Sequence, residues 1–243
     1  MVFSRVSLHD LKQAFVAALP IVAGYVVLGI PCGILGVQAG MSVLQVVLMS
    51  LFFYSGAGQY LIPNLWMAGV PITSIVASVS LVNLRQILYA ASMSRFSEGA
   101  GKRLSFLFAA TMTDESFGIN LGRFTAEGAQ ERWTVSRATL VNLFSLVTWI
   151  LANAAGAILG SLLAVPTALA SFAMTAIFIC LLFMQRFTPP AIVAAVVAAL
   201  GVCVCKLVGL SGPAILIGAL LGIAAALIVG RKTPSPEHEG GEQ

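Results

Sequence analysis

Apolar positions run along this chain in long stretches, at approximately 13–38, 42–62, 65–94, 104–122, 138–164, 167–185, 190–208 and 212–230. A bilayer core is crossed by roughly 20 apolar helical residues, so most of these stretches have the length of a membrane pass. Transmembrane strands read instead as alternating segments of about ten residues, and in lipid only helices and closed barrels satisfy every backbone group. The pattern predicts an all-α, polytopic integral membrane protein with six to eight transmembrane helices. Pro20, Pro31, Pro63, Pro71, Pro166, Pro189, Pro190 and Pro213 fall near segment ends or mark kinks.

Composition strengthens this reading. Of 243 residues 59% are hydrophobic and 9% are charged, against about 25% charged in an average soluble domain. No charge occurs in the 72 positions between Lys12 and Arg85, nor in the 48 between Arg137 and Arg186. The expected organisation is one helical bundle over 13–230, a cytoplasmic arm over 1–12 and a disordered cytoplasmic tail over 231–243. Neither terminal piece is long enough to bury a core, so function is expected inside the membrane part. The first apolar run exceeds the h-region of a signal peptide and is expected to stay as an uncleaved span.

Several chemistries lack their material. The two histidines, His9 and His238, lie in the terminal arms, so a His-based metal site or Ser-His-Asp triad in the bundle is not expected. No phosphate-loop motif occurs. Cys32, Cys180, Cys203 and Cys205 sit in apolar surroundings and read as buried, inert thiols. Cys203 and Cys205, two apart, would point to nearly opposite faces of a helix. No cofactor, metal or catalytic residue is expected. The net charge of +4 is spread over short loops, which fits a lipid bilayer better than a nucleic-acid partner.

Basic residues orient the chain. Arg132, Arg137, Arg186, Arg231 and Lys232 fall on one side if the last four segments cross in turn, which puts the C-terminus in the cytoplasm, and Arg5 and Lys12 put the N-terminus there too. The basic loop Arg95–Arg103 resists that scheme. Either it is an exception and there are eight spans, or segments 42–62 and 104–122 dip in and return on the same side. These two segments also carry the small and polar residues: Tyr54-Ser55-Gly56-Ala57-Gly58-Gln59-Tyr60 and Thr111-Met112-Thr113-Asp114-Glu115-Ser116-Phe117-Gly118. Irregular backbone at membrane depth survives where it lines a cavity or is buried in protein, and broken helices build midplane sites in secondary transporters. One or both segments are therefore expected to be broken or re-entrant.

Arg85, two residues after Asn83, is the charge that most needs a partner, since an arginine at the bilayer centre costs about 2.5 kcal/mol or more. Asp114 and Glu115 are the acids that are not plainly in loops or tails. Arg85 and Asp114 either form an ion pair that fixes helix register, or Arg85 holds a substrate carboxylate, alone or by exchanging partners with Asp114. Adjacent on a helix, Asp114 and Glu115 point about 100° apart. One suits a substrate ammonium or the arginine and the other a transferable proton, unless both are simply solvated at the surface. Ser55, Gly56, Gly58 and Gln59 offer backbone N–H groups and an amide to a small zwitterion, or else close helix packing. Gly29-x-x-x-Gly33, Gly36-x-x-x-Gly40, Gly156-x-x-x-Gly160 and Gly218-x-x-x-Gly222 supply close-approach faces, within the bundle or toward another subunit. A faint repeat links Leu81-Val82-Asn83-Leu84 to Leu140-Val141-Asn142-Leu143, and the Gly-rich 33–36 to 156–160.

The order Ser55-Gly56-Ala57-Gly58-Gln59, then Asn83-Leu84-Arg85, then Thr113-Asp114-Glu115-Ser116-Phe117, after Gly24, Gly29 and Gly33, resembles the AzlC family. That family is the large subunit of a branched-chain amino acid exporter conferring azaleucine resistance. The likeness spans about Phe15 to Val229, and where the family pattern usually has His after the arginine this chain has Gln86. The resemblance implies a secondary transporter of the bacterial inner membrane that exports leucine, isoleucine, valine or related amino acids. It also implies a small AzlD-type membrane subunit as partner. Substrate-binding roles are expected for Ser55, Gly56, Gly58, Gln59, Asn83 and Arg85, and proton coupling for Asp114 and Glu115. The absence of an ATP motif makes an ion gradient the expected energy source, with proton antiport as the hypothesis. The competing classes are a non-transporting assembly subunit and, with less material, an intramembrane enzyme.

Overall fold

A computed structural model describes residues 7–126, 133–163, 188–209 and 214–230, with single positions between 166 and 183. Segment 167–185, Arg132, Arg186, Cys180 and the tail with His238 lie outside the residues it describes, apart from those single positions. Among the described residues every regular element is helical: α1 (Leu8–Gln38), α2 (Val43–Phe52), α3 (Gly56–Met67), α4 (Ile72–Met93), a 3-10 turn at Ser94–Ser97, α5 (Lys102–Ala110), α6 (Asp114–Thr125), α7 (Val135–Leu162), α8 (Pro189–Leu207) and α9 (Ala214–Gly230). Helices α1, α7 and α8, and α4 with the 3-10 turn, are long and apolar enough to cross a membrane.

Both segments expected to be irregular are interrupted helices. The first breaks at residues 53–55 between α2 and α3, the second at 111–113 between α5 and α6. Each half is 9 to 12 residues long, about half a bilayer pass. The apolar run 65–94 is not one helix: α3 continues to Met67, the chain turns through Gly69 at φ +71°, and α4 starts after Pro71. Continuous hydrophobicity concealed a turn that glycine and proline impose.

The chain forms two compact units, one of residues 1–64 and 82–176, the other of 65–81 and 177–243. In the first unit α1 and α7 are parallel neighbours. Arg137 Nε donates to Asp10 Oδ1 at 2.6 Å where both helices begin. Further along, Gly29 lies against Ala152 and Asn153, Gly33 against Asn153 and Ala157, Gly156 against Ile30, and Gly160 against Ile34. A Cβ on Gly33 or Gly156 would overlap a backbone carbonyl oxygen of the opposite helix. The glycine faces of α1 and α7 therefore serve the bundle itself. α1 continues through Pro20 and Pro31, each costing one backbone hydrogen bond, and Tyr60 Oη donates to the Leu28 carbonyl.

In the second unit α8 and α9 are antiparallel. Gly222 lies against Ala194 and Ala198, and Gly218 against Ala198 and Val202. Cys32 and Cys205 are buried as expected, but Cys203 is exposed, because two positions along a helix turn it to the face opposite Cys205.

Candidate functional site

The first break owes its shape to side chains that replace lost helical hydrogen bonds. Ser55 caps α3, its Oγ accepting from Gly58 N at 3.1 Å and donating to Asn83 Oδ1 at 2.7 Å. Gln59 is fully buried and used on every side. Its Nε2 donates to the Phe53 carbonyl at 2.6 Å, and its Oε1 accepts from Ser50 Oγ and Trp149 Nε1, both at 3.1 Å. Gln86 Nε2 donates to the Tyr54 carbonyl at 3.3 Å. A Cβ on Gly58 would stand 2.8 Å from the Phe53 ring, so glycine lets the irregular backbone fold against its own helix. Helix geometry leaves the N–H groups of Gly56 and Ala57 without intrahelical acceptors, and no acid occupies the first turn of α3.

The second break carries the acids. Thr113 N donates to Ser116 Oγ at 2.9 Å, which closes the start of α6. Asp114 and Glu115, in the first turn, are favoured by the positive end of that helix. They diverge as the helical angle requires. Asp114 Oδ2 takes Arg85 Nη2 at 2.9 Å, while Glu115 Oε2 accepts from Tyr25 Oη at 2.8 Å. Tyr25 Oη also meets Thr113 Oγ1 at 2.8 Å and is buried.

Helix α4 joins the two breaks. Asn83 and Gln86 hold the first, and one helical step away Arg85 reaches the second. Tyr89 stacks on Phe117 with ring centroids 4.5 Å apart, its phenol beside Asp114. Tyr54, from the first break, lies beside Tyr25 and Thr113.

Three buried side-chain atoms in this region have no hydrogen-bond partner: Arg85 Nε, Asp114 Oδ1 and Tyr54 Oη. The ion pair thus keeps one spare donor and one spare acceptor. Leaving such atoms unsatisfied costs about 1–3 kcal/mol each, and a small polar ligand bearing both charges would recover that.

All eight sequence-derived site residues fall within the first unit, around the two breaks. Arg85 and Asp114 are brought together, as are Ser55 and Asn83. Gln59 instead faces Trp149, Ser50 and the Phe53 carbonyl. Sequence reasoning passed over Tyr25 and Trp149. The usable signal was that each puts a hydrogen-bonding group into an apolar helix, and a buried phenol or indole N–H usually finds a partner.

Two interrupted helices in an apolar bundle, one of them bearing two acids that are held by an arginine and a tyrosine of continuous helices, define a polytopic membrane protein of the discontinuous-helix kind. A profile described as AzlC protein matches residues 20–163, more than half of the sequence, and the chain belongs to that family. It is 29% identical over 221 residues to the "Branched-chain amino acid transport protein AzlC" of Bacillus subtilis, covering 91% of this chain and 85% of the relative. It is 30% identical over 220 residues to the "Inner membrane protein YgaZ" of Escherichia coli, with 87% of each chain covered. An uncharacterized membrane protein of Helicobacter pylori is 34% identical over 184 residues, 74% of this chain and 78% of that one. No solved structure matches.

Proposed function

We propose that this protein is a secondary transporter exporting branched-chain or related hydrophobic amino acids from the bacterial cytoplasm, driven by proton antiport. It works with a small AzlD-type membrane subunit, both termini cytoplasmic, in the inner membrane, and performs no enzymatic conversion. The observation that carries this reading is the Arg85–Asp114 pair with its unpartnered Nε and Oδ1. An amino acid zwitterion supplies the missing halves. Its carboxylate goes to Arg85 Nε and the open N–H groups at the start of α3, and its ammonium to Asp114 Oδ1. Tyr89 and Phe117, stacked beside the pair, offer the wall for an apolar side chain. The name carried by the Bacillus subtilis relative, a branched-chain amino acid transport protein, supports the same substrate class.

In this reading Ser55, Gly58, Gln59 and Asn83 shape the first break, Gly56 faces the substrate, and the acids of α6 divide ammonium binding and proton coupling between them. The test is efflux of labelled leucine from proteoliposomes, with and without the small subunit, under an imposed pH gradient. Gradient-driven efflux that disappears in Arg85→Gln supports the proposal. An intact, folded protein that moves no leucine with either arrangement speaks for the assembly role.

A further inference from the structure

The two neighbouring acids of α6 are held in ways that give them different chemistry. Asp114 faces a guanidinium at 2.9 Å, so protonating it would strand a partly buried arginine charge. Glu115 makes no ion pair among the described residues; its carboxylate accepts from a phenol and its residue is exposed. The ionisable groups around it are Tyr25 from α1, Tyr54 from the first break, Tyr89 from α4, Asp114 beside it, and Arg85 already held by Asp114.

We propose that Glu115 is the group that takes up and releases the transported proton, with Tyr25 and Thr113 as positioning residues whose hydroxyl chain reverses on protonation. This rests on the transporter reading above and sharpens it. With Glu115 ionised, Thr113 Oγ1–H donates to Tyr25 Oη, and Tyr25 Oη–H donates to Glu115 Oε2, each across 2.8 Å. When a proton from water binds Glu115, a new O–H bond forms there. Glu115 then donates to Tyr25 Oη, and Tyr25 donates to Thr113 Oγ1. No proton leaves Tyr25 or Thr113; only the direction of donation changes.

The Thr113 hydrogen then turns to another acceptor: Ser116 Oγ stands 3.4 Å away in the same helix cap, and Tyr54 Oη lies buried beside both hydroxyls. Tyr54 belongs to the first break and Thr113 to the second, so when the hydrogen turns to Tyr54 rather than Ser116, one proton on Glu115 adds a hydrogen bond between the two interrupted helices. That gives the proton a differential contact in two arrangements of the bundle, the requirement for coupling it to opening.

The experiment uses the full-length protein in liposomes and two readouts. In pH-difference infrared spectra, the wild type shows a tyrosine C–O signal that accompanies a carboxylic acid band. Both are lost in Glu115→Gln, the tyrosine signal is lost in Tyr25→Phe with the acid band shifted, and both persist in Asp114→Asn. In transport, Glu115→Gln keeps leucine exchange at equal pH and loses leucine movement driven by a pH gradient. Tyr25→Phe, which keeps the ring against Trp149, moves the pH profile of gradient-driven efflux and guards against a folding defect in the glutamate variant. Gradient-driven efflux with an unchanged pH profile in Glu115→Gln overturns the proposal, as does a tyrosine signal that survives that substitution. A wild type that moves no leucine but shows the linked infrared bands defeats the substrate reading and leaves the Glu115–Tyr25 relay standing.

Discussion

Arg85 on α4 and Asp114 at the head of α6 meet at 2.9 Å, with side chains 28% and 22% exposed. The contact spans 29 positions of sequence and joins a continuous helix to an interrupted one. It is neither a surface ion pair, worth little, nor a sealed one, and its spare Nε and Oδ1 remain buried. A pair built only for stability gains most when all its hydrogen-bonding capacity is used. This one is incompletely satisfied where two helices break.

Neutralising one partner separates stability from function. Arg85→Gln leaves Asp114 without its cation, a loss of about 3–5 kcal/mol in a fully buried pair and about 2 kcal/mol at this exposure. The double variant Arg85→Gln with Asp114→Asn removes both charges and is expected to regain most of the thermal stability in detergent, without regaining leucine efflux. Normal efflux by the double variant would reduce the pair to a register-fixing contact.

Gln59 is expected to behave as scaffold. Gln59→Leu leaves Trp149 Nε1 and Ser50 Oγ without the partner each has now, while the Phe53 carbonyl keeps Ser55 N at 2.9 Å. At about 1–3 kcal/mol per unsatisfied buried group, the loss should reach about 2 kcal/mol or more. Combining it with Trp149→Phe removes one stranded donor, so the double variant should lose less than the two single losses together, by roughly 0.5–3 kcal/mol. Strict additivity in thermal unfolding would refute the shared bond.

Ser55 caps α3 through Gly58 N and also holds Asn83. Ser55→Ala should lower stability by about 1 kcal/mol, the usual worth of such a cap. The apparent KM for leucine should stay unchanged if the hydroxyl only shapes the break. A rise in KM at constant kcat would place Ser55 on the substrate instead.

The helices and the charge pairing were readable because lipid leaves few options. A lone arginine in an apolar segment needs an acid, and Asp114 and Glu115 are the acids that do not fall plainly in loops or tails. The breaks were readable from Ser55-Gly56-Ala57-Gly58 and Thr111-Met112-Thr113, where polar and small residues interrupt hydrophobic runs. Pro71 marked a kink or segment end, but the full turn through Gly69 was hidden because its neighbours are as apolar as a helix interior. Tyr25 and Trp149 were hidden because their partners, Glu115 and Gln59, both lie 90 positions away. Such pairings depend on which helices are neighbours, and periodicity on one helix carries no record of that. The echo between the Gly-rich 33–36 and 156–160 acquires a physical meaning only in three dimensions, where the two segments face each other.

That facing surface supports the last prediction. A Cβ on Gly156 would overlap the Ile30 carbonyl oxygen, a backbone atom that cannot turn aside, so α1 and α7 must separate to admit it. Overpacking of this kind costs about 1–3 kcal/mol, occasionally more. Gly24, on the same α1, has no neighbouring atom within 4 Å of the place an added methyl would take, and an alanine there relieves the helix of about 0.5–1 kcal/mol of glycine's conformational cost. Gly156→Ala should therefore lower the unfolding temperature in detergent while Gly24→Ala holds or raises it. Because α7 also carries Trp149, moving it away from α1 pulls on Gln59 and the first break, so Gly156→Ala should lose leucine efflux at temperatures where it remains folded. Equal stability of the two variants would mean that α1 and α7 do not pack through their glycines.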